Sequence, residues 1–351
     1  MAPTVIDYFG SIPNMVASRY GDALIMHNIL FVGPGSAKPF LEQLAGAIPD
    51  QAAHVRSLYD IGSPSECAGW EAVDILVAFA VPCTAQDMAR APRLKAVVIP
   101  SLGFEGVDVA EATARGISVA NGHVTENFES VAEAAFLFML MSLYQIRAVE
   151  DRLRQGVARA GPPTARMLKG KTIGIIGFGN IARALVQRLA GWGADILLCT
   201  RTANATNQQN INHCDLATLL QRSDIVLPLL PLTSDTHYML SKAQFMAMKK
   251  GAILINLSRG AVIDEAALSD PEVVAHLGGI ALDVFEFEPL PMASPLRDHP
   301  KAILTGHEIS HTQENLQALF RTAKANIFAA IDGRAMPTRL NSDAGDSSAL
   351  H

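Results

Sequence analysis

KTIGIIGFGNIARALVQRLAGWGADILLCTRT, running from Lys171 to Thr202, is the stretch whose reading decides the fold. A short apolar run, Thr172 to Ile176, enters a glycine turn. An amphipathic segment, Ile181 to Leu189, follows, and a second apolar run, Ile196 to Cys199, ends at Thr200-Arg201. This succession reads as strand, turn, helix and strand. Gly177 and Gly179, with Ala182 in the third position, complete G-x-G-x-x-G/A. In that pattern the first glycine allows a sharp turn, the second lets backbone N–H groups approach a pyrophosphate, and the small third residue lets helix pack on strand. The match carries weight because a strand precedes it and a helix follows it. It predicts half of a dinucleotide site.

The end of the second strand predicts which dinucleotide. A site that prefers NAD places Asp or Glu about 20 residues on, for the ribose 2′-OH, whereas a nearby Arg accommodates a 2′-phosphate. Here Thr200-Arg201-Thr202 occupies that place. An uncharged hydroxyl residue followed by a guanidinium does not repel a phosphate and offers it charge-assisted hydrogen bonds. The expected cofactor is therefore NADP, with NAD possible. A solvent-facing Arg201 beside a site that tolerates both is the plainer reading of the same residues.

At 351 residues, 49% hydrophobic and 18% charged, the chain is long enough for two domains with full cores. A net charge of −6 without a basic run argues against nucleic acid or an anionic membrane as the main partner. The four cysteines, Cys67, Cys83, Cys199 and Cys214, contain no C-x-x-C pair, so neither a metal site nor a disulfide framework is expected, in keeping with a reducing cytoplasm. No basic residue precedes Arg19, so a charged signal-peptide n-region is missing. The most apolar stretch, Ala134 to Leu143, is too short to span a bilayer.

Residues 1 to 27 are hard to place, and Met26 is an alternative start. Strands are expected at Ile29 to Val32, Ile75 to Val77, Ala96 to Ile99 and Ile117 to Val119, with helices through Leu41 and Leu44, at Ala85 to Ala89 and at Val109 to Ala114. Alternating elements of these lengths predict a parallel α/β sheet. Thr125 to Ile146 reads as one long helix, and Thr312 to Ile331 as a second. Beyond Arg201, the runs Ile225 to Leu230, Ala252 to Asn256 and Ile280 to Val284 extend the Rossmann sheet, with helical segments from near Ser241 and Asp264. The economical layout inserts a dinucleotide-binding domain, 124–307, into a first domain made of 1–123 and 308–340. The small polar residues 341–351 read as a disordered tail.

Three later stretches bring chemical groups to strand ends, where ligands bind in open α/β sheets. Arg259 lies in INLSRGAVID, Asp283 and Glu288 in ALDVFEFEPLP, and His307 in LTGHEISH. A guanidinium grips a carboxylate with two parallel bonds and polarises the neighbouring carbonyl. An imidazolium donates a proton to that oxygen, and a carboxylate beside it keeps the proton on at neutral pH. Each residue also has a plainer use: Arg259 as a solvated side chain, Glu288 closing a turn, His307 as a core histidine, Asp283 as a cap. Their joint order behind a dinucleotide fingerprint favours reduction of a 2-oxo acid.

Together with P-L-T-S-D-T (Pro231 to Thr236), these runs make the chain resemble the D-isomer-specific 2-hydroxyacid dehydrogenase family over about residues 70 to 333. R-L-K-A-V-V (Arg93 to Val98), R-G-I-S-V-A-N (Arg115 to Asn121) and S-V-A-E (Ser130 to Glu133) add to the match. The resemblance implies a flavodoxin-like substrate domain, an inserted Rossmann domain and a homodimer formed largely through the latter. It implies Arg259 as the substrate-binding arginine, Glu288 as the carboxylate paired with histidine, and His307 as the acid/base. Cofactor contacts are implied at Gly177, Gly179, Asn180 and Ile181; at Thr200, Arg201 and Thr202; at Leu230, Pro231 and Thr236; and at Leu257, Ser258, Arg259, Asp283, His307 and Ser310. Substrate contacts are implied at Phe79, Ala80, Leu102 and Gly103, besides Arg259 and His307.

Departures from the family pattern also carry information. Gly306 stands where Pro is usual and loosens the backbone before His307. Phe79 suits either a cleft favouring small or apolar substrates or the core. Glu288 argues against the formate-oxidising branch. The leading reading is an NADPH-dependent reductase of glyoxylate or hydroxypyruvate. Alternatives are a dinucleotide-sensing corepressor-like protein and a dehydrogenase of another oxyanion such as phosphite.

Overall fold

Runs of β-branched and other apolar residues form strands buried on both faces, as parallel sheets between helices require. The computed structural model describes residues 26–158, 161–201 and 211–341. Most of residues 1–27, Thr202 and the expected tail beyond Asn341 lie outside the described residues. Two units result, one built from the chain up to Asn127 and again from Gln313, the other from Phe128–Thr312.

The first unit holds β1 (His27–Gly33), β2 (Ala53–Tyr59), β3 (Ile75–Ala78), β4 (Ala96–Val98) and β5 (Ser118–Ala120). Their order, β2-β1-β3-β4-β5 with all pairs parallel, is that of flavodoxin-like folds. The second unit holds β6 (Thr172–Ile176), β7 (Asp195–Cys199), β8 (Ile211–His213), β9 (Ile225–Pro228), β10 (Ile253–Asn256), β11 (Gly279–Leu282) and β12 (Ala302–Leu304). Their order is β12-β11-β10-β9-β6-β7-β8, also parallel. The direction of progression reverses between β6 and β9, which is the Rossmann arrangement.

Several expectations need correction. The first long helix forms as expected over Thr125–Tyr144, ending two residues early at Gln145, which adopts the left-handed conformation at φ +53, and a further helix, Ile146–Arg154, follows at a bend of 55°. That conformation ends a helix, and the Gln145 Oε1 there accepts from Thr164 Oγ1 at 2.6 Å. Among the described residues no single helix is long and apolar enough to cross a membrane, although the bent pair has the length and composition together. The first of the two buries Val131, Ala135, Phe138, Met139 and Leu143 in the core.

Asn341, expected to open a disordered tail, is 6% exposed. Its side chain accepts from the Val119 N–H at 2.8 Å and donates to the Ile117 carbonyl at 2.8 Å, closing the free edge at β5. The unit boundaries fall after Asn127 and Thr312, rather than after 123 and 307. The second lies later because the His307 loop is tied into the second unit, the Ser310 carbonyl accepting from Ser130 Oγ at 2.8 Å.

The exits of two neighbouring strands set the site. β10 and β11 run in register, Asn256 opposite Leu282, so the turn after each leaves the sheet beside the other. There Gly260 meets Phe285: a Cβ on Gly260 would stand 1.9 Å from the Phe285 carbonyl carbon and 2.0 Å from its oxygen. Backbone cannot yield to a side chain as another side chain can. Gly260→Ala is expected to lower the unfolding free energy by about 1–3 kcal/mol through overpacking, read as a fall in Tm. An unchanged Tm would mean that the two exits have slack.

Candidate active site

The fingerprint turn is crowded at its first glycine and open at its second. Gly177 has φ +95, and a Cβ there would lie 2.5 Å from the Leu229 carbonyl oxygen. Its N–H donates to the Cys199 carbonyl at 2.9 Å. Gly179 precedes the helix Asn180–Leu189, gives it no side-chain cap, and a Cβ on it would meet nothing within 4 Å. The positive end of the helix dipole thus lies at the sheet's switch point beside a glycine that leaves room for a ligand, which fits a pyrophosphate.

Leu230 and Pro231 follow β9, and the next turn is folded by Thr236, whose Oγ1 donates to the Pro231 carbonyl at 2.8 Å and accepts the Thr233 N–H at 2.7 Å. At the end of β7 Thr200 is half-buried and Arg201 exposed. These groups fit a dinucleotide, and a bound nicotinamide would exchange a hydride with substrate.

The Arg259 turn is shaped by a residue that sequence reasoning missed. Asn256 closes the apolar strand ILIN and is fully buried. Its Oδ1 accepts from the Ser258 N–H at 3.1 Å and Oγ at 2.8 Å, and its Nδ2 donates to the Arg259 carbonyl at 2.9 Å. A buried amide with three bonds is a costly group to leave unpaired, so it fixes the turn. A polar residue ending a wholly apolar run was the available signal. Leu257 and Ser258 are buried beneath Arg259, which is half-buried and donates from Nη1 to the Ser258 carbonyl at 2.7 Å.

Asp283, expected as a cofactor contact, is 3% exposed and clamps the histidine loop. Its Oδ1 accepts from Thr305 Oγ1 at 2.6 Å and from the N–H groups of Glu308 at 3.1 Å and Ile309 at 3.2 Å. Its carbonyl accepts the His307 N–H at 2.6 Å. Thr305, also missed, sits two residues before the histidine. His307 itself is held at φ +61, a conformation rare outside glycine and concentrated at functional sites.

His307 Nδ1 lies 2.8 Å from Glu288 Oε2, and Glu288 Oε1 accepts the Phe285 N–H at 3.0 Å. A carboxylate only accepts, so Nδ1 carries a proton and Nε2 is the ring atom left for substrate. The hydrogen bond to Glu288 raises the His307 pKa above its usual 6.5, against the opposing effects of burial and of the Arg259 charge. Burial pushes Glu288 up, but the bond to His307, the Phe285 N–H and the charges of His307 and Arg259 outweigh it, so its carboxyl titrates below the usual range. The Arg259 charge thus acts on both members of the pair. The second unit brings Arg259, Glu288 and His307 together, an arrangement able to hold an anion and hand over a proton.

The remaining expected residues lie in the first unit. Phe79 is half-buried against the core cluster there, its ring edge-on to Phe40 with centroids 6.0 Å apart. Ala80 is exposed and left-handed at φ +54. The Leu102-Gly103 loop is tied down by Asn121 Nδ2 donating to the Leu102 carbonyl at 2.6 Å and by Ser101 Oγ donating to the Gly103 carbonyl at 3.2 Å.

Residues 136–308 match the family described as "D-isomer specific 2-hydroxyacid dehydrogenase, NAD binding domain". The chain is 36% identical over 260 residues to a glyoxylate/hydroxypyruvate reductase B of Pectobacterium carotovorum, covering 72% of this chain and 81% of that one. It is 36% identical over 268 residues to a glyoxylate reductase of Thermofilum pendens, covering 74% and 78%. A solved NADPH-dependent glyoxylate/hydroxypyruvate reductase from Sinorhizobium meliloti superposes with a TM-score of 0.75 at 26% identity, covering 89% of this chain and 97% of that one. With the turn, the sheet order and these similarities in agreement, the chain belongs to the D-isomer-specific 2-hydroxyacid dehydrogenase family, NAD(P)-dependent enzymes that interconvert 2-oxo and 2-hydroxy acids.

Proposed function

We propose that this enzyme reduces a small 2-oxo acid, glyoxylate or hydroxypyruvate, to the D-2-hydroxy acid with NADPH. The observation that carries the reading is the His307–Glu288 pair at 2.8 Å, with the Arg259 charge acting on both. Arg259 grips the substrate carboxylate and polarises the adjacent carbonyl, while His307 Nε2 gives its proton to the carbonyl oxygen. Glu288 keeps the imidazole charged at neutral pH. Relatives named for glyoxylate and hydroxypyruvate support the substrate class.

For NADPH, the support is Thr200-Arg201 at the end of β7, without a carboxylate to repel a 2′-phosphate. For a homodimer, it is a stripe of exposed apolar side chains on one helix face: Ile146 at 45%, Val149 at 46% and Leu153 at 79%. A monomer in sedimentation at micromolar concentration would count against that assembly.

His307→Gln is expected to cut kcat by about 10²–10⁴-fold, the usual share of a general acid, with NADPH binding nearly unchanged. Retained turnover refutes the role. Reduction needs His307 protonated, so the rate holds below its raised pKa and falls as pH rises through it. Glu288→Gln removes the largest upward cause, so the falling limb of the kcat–pH profile moves to lower pH. An unmoved limb means that another group sets it.

Catalytic efficiency is expected to favour NADPH over NADH, and Arg201→Ala to shrink that preference by roughly ten- to a hundredfold, the worth of one charge-assisted hydrogen bond. A preference of the unaltered enzyme for NADH overturns the assignment.

A further inference from the structure

We propose that Cys199 and Cys214 are a disulfide-forming pair whose oxidation loosens the cofactor turn. The clause about the cofactor rests on the function proposed above; the pairing itself does not.

The sheet places the two residues opposite each other. β7 and β8 pair with Ile196 opposite Ile211, Leu197 opposite Asn212 and Leu198 opposite His213. In this ladder an N–H reaches the carbonyl of the residue before its partner, and the Cys214 N–H donates to the Leu198 carbonyl at 3.1 Å. Cys214 is therefore the next rung, facing Cys199. Neighbouring strands lie about 4.8 Å apart, inside the ~4.4–6.8 Å between Cα atoms that a disulfide spans. Both side chains pack on the same apolar cluster, so they point to the same face. Both are half-buried, and β8 is the edge of the sheet, which leaves the pair open to a small reagent. Cys67 and Cys83 are buried in the other unit, and burial with the Asp87 charge pushes the Cys83 thiol up to about 12.

The consequence follows from the strand order β6-β7-β8. A disulfide needs its Cβ atoms about 3.8 Å apart, closer than opposite rungs normally stand, so it draws the end of β7 toward β8 and away from β6. The Cys199 carbonyl is the acceptor for the Gly177 N–H at 2.9 Å, and Thr200-Arg201 follows directly. Oxidation thus pulls on the turn that holds the pyrophosphate and on the residues assigned to the 2′-phosphate.

With a small-molecule disulfide as oxidant, the thiolate of one cysteine attacks it and expels one small thiolate. The second cysteine then attacks the mixed disulfide and expels the other, so the protein loses two electrons and two protons and two small thiols are formed. The charged groups facing the pair are Asp215 and Arg222. Burial, with Asp215, holds both thiols above the ordinary range, Arg222 opposing at Cys214, so oxidation is run at mildly alkaline pH.

The test treats the full-length reduced enzyme with excess oxidised glutathione, maps thiols by mass spectrometry, and titrates NADPH by fluorescence. The expected result is a Cys199–Cys214 cross-linked peptide with Cys67 and Cys83 still free, reversal by dithiothreitol, and no cross-link in Cys214→Ser. The NADPH dissociation constant is expected to rise about tenfold on oxidation and to recover on reduction. Four free thiols after treatment, or glutathione adducts without the cross-link, overturn the pairing. A cross-link with unchanged NADPH affinity overturns the coupling to the turn. Failure of the reduced enzyme to bind either dinucleotide overturns the cofactor reading alone, because the peptide map still decides the pairing.

Discussion

Gly260 passes so near the Phe285 carbonyl that no side chain fits between them, and the placement of Arg259 beside Glu288 depends on that approach. β10 delivers Arg259 and β11 delivers Glu288, each on a turn that by itself has many conformations. Pressing the two turns together removes most of that freedom, and Asn256 inside one and the Phe285 N–H inside the other remove more. The resulting electrostatics are specific: Glu288 titrates below the usual carboxylate range although burial opposes it, and its hydrogen bond raises the pKa of His307.

The histidine arrives from a third strand, β12, on backbone that its own sequence does not favour. Gly306 lends no rigidity, and His307 adopts a left-handed φ that costs on the order of 1–3 kcal/mol at a non-glycine residue. Asp283 offsets this by receiving Thr305, Glu308 and Ile309 on one carboxylate oxygen and the His307 N–H on its carbonyl. The looseness that Gly306 lends the backbone before His307 is thus restrained by contacts that involve neither residue's side chain.

Much of this was legible in the residues before any coordinates. Strands such as Thr172–Ile176 and helices such as Val109–Ala114 are apolar runs bounded by turn residues, and they form with the expected limits. β2, AHVRSLY, was not legible: as an edge strand it alternates polar and apolar residues weakly and lacks the continuous apolar run of its neighbours. The break at Gln145 was hidden because neither Gly nor Pro marks it. Motif order pointed to Arg259, Glu288 and His307, since their chemistry is complementary. The supports, Asn256, Gly260 and the Asp283 clamp, are matters of backbone proximity between segments distant in sequence, which composition and spacing do not encode.

Arg259, Glu288 and His307, with the Asn256, Phe285 and Asp283 groups described around them, all come from residues 256 to 309 of the second unit. A compact stretch of chain thus carries these groups and their nearest supports, so a substitution far outside it reaches them only through the packing of the sheet.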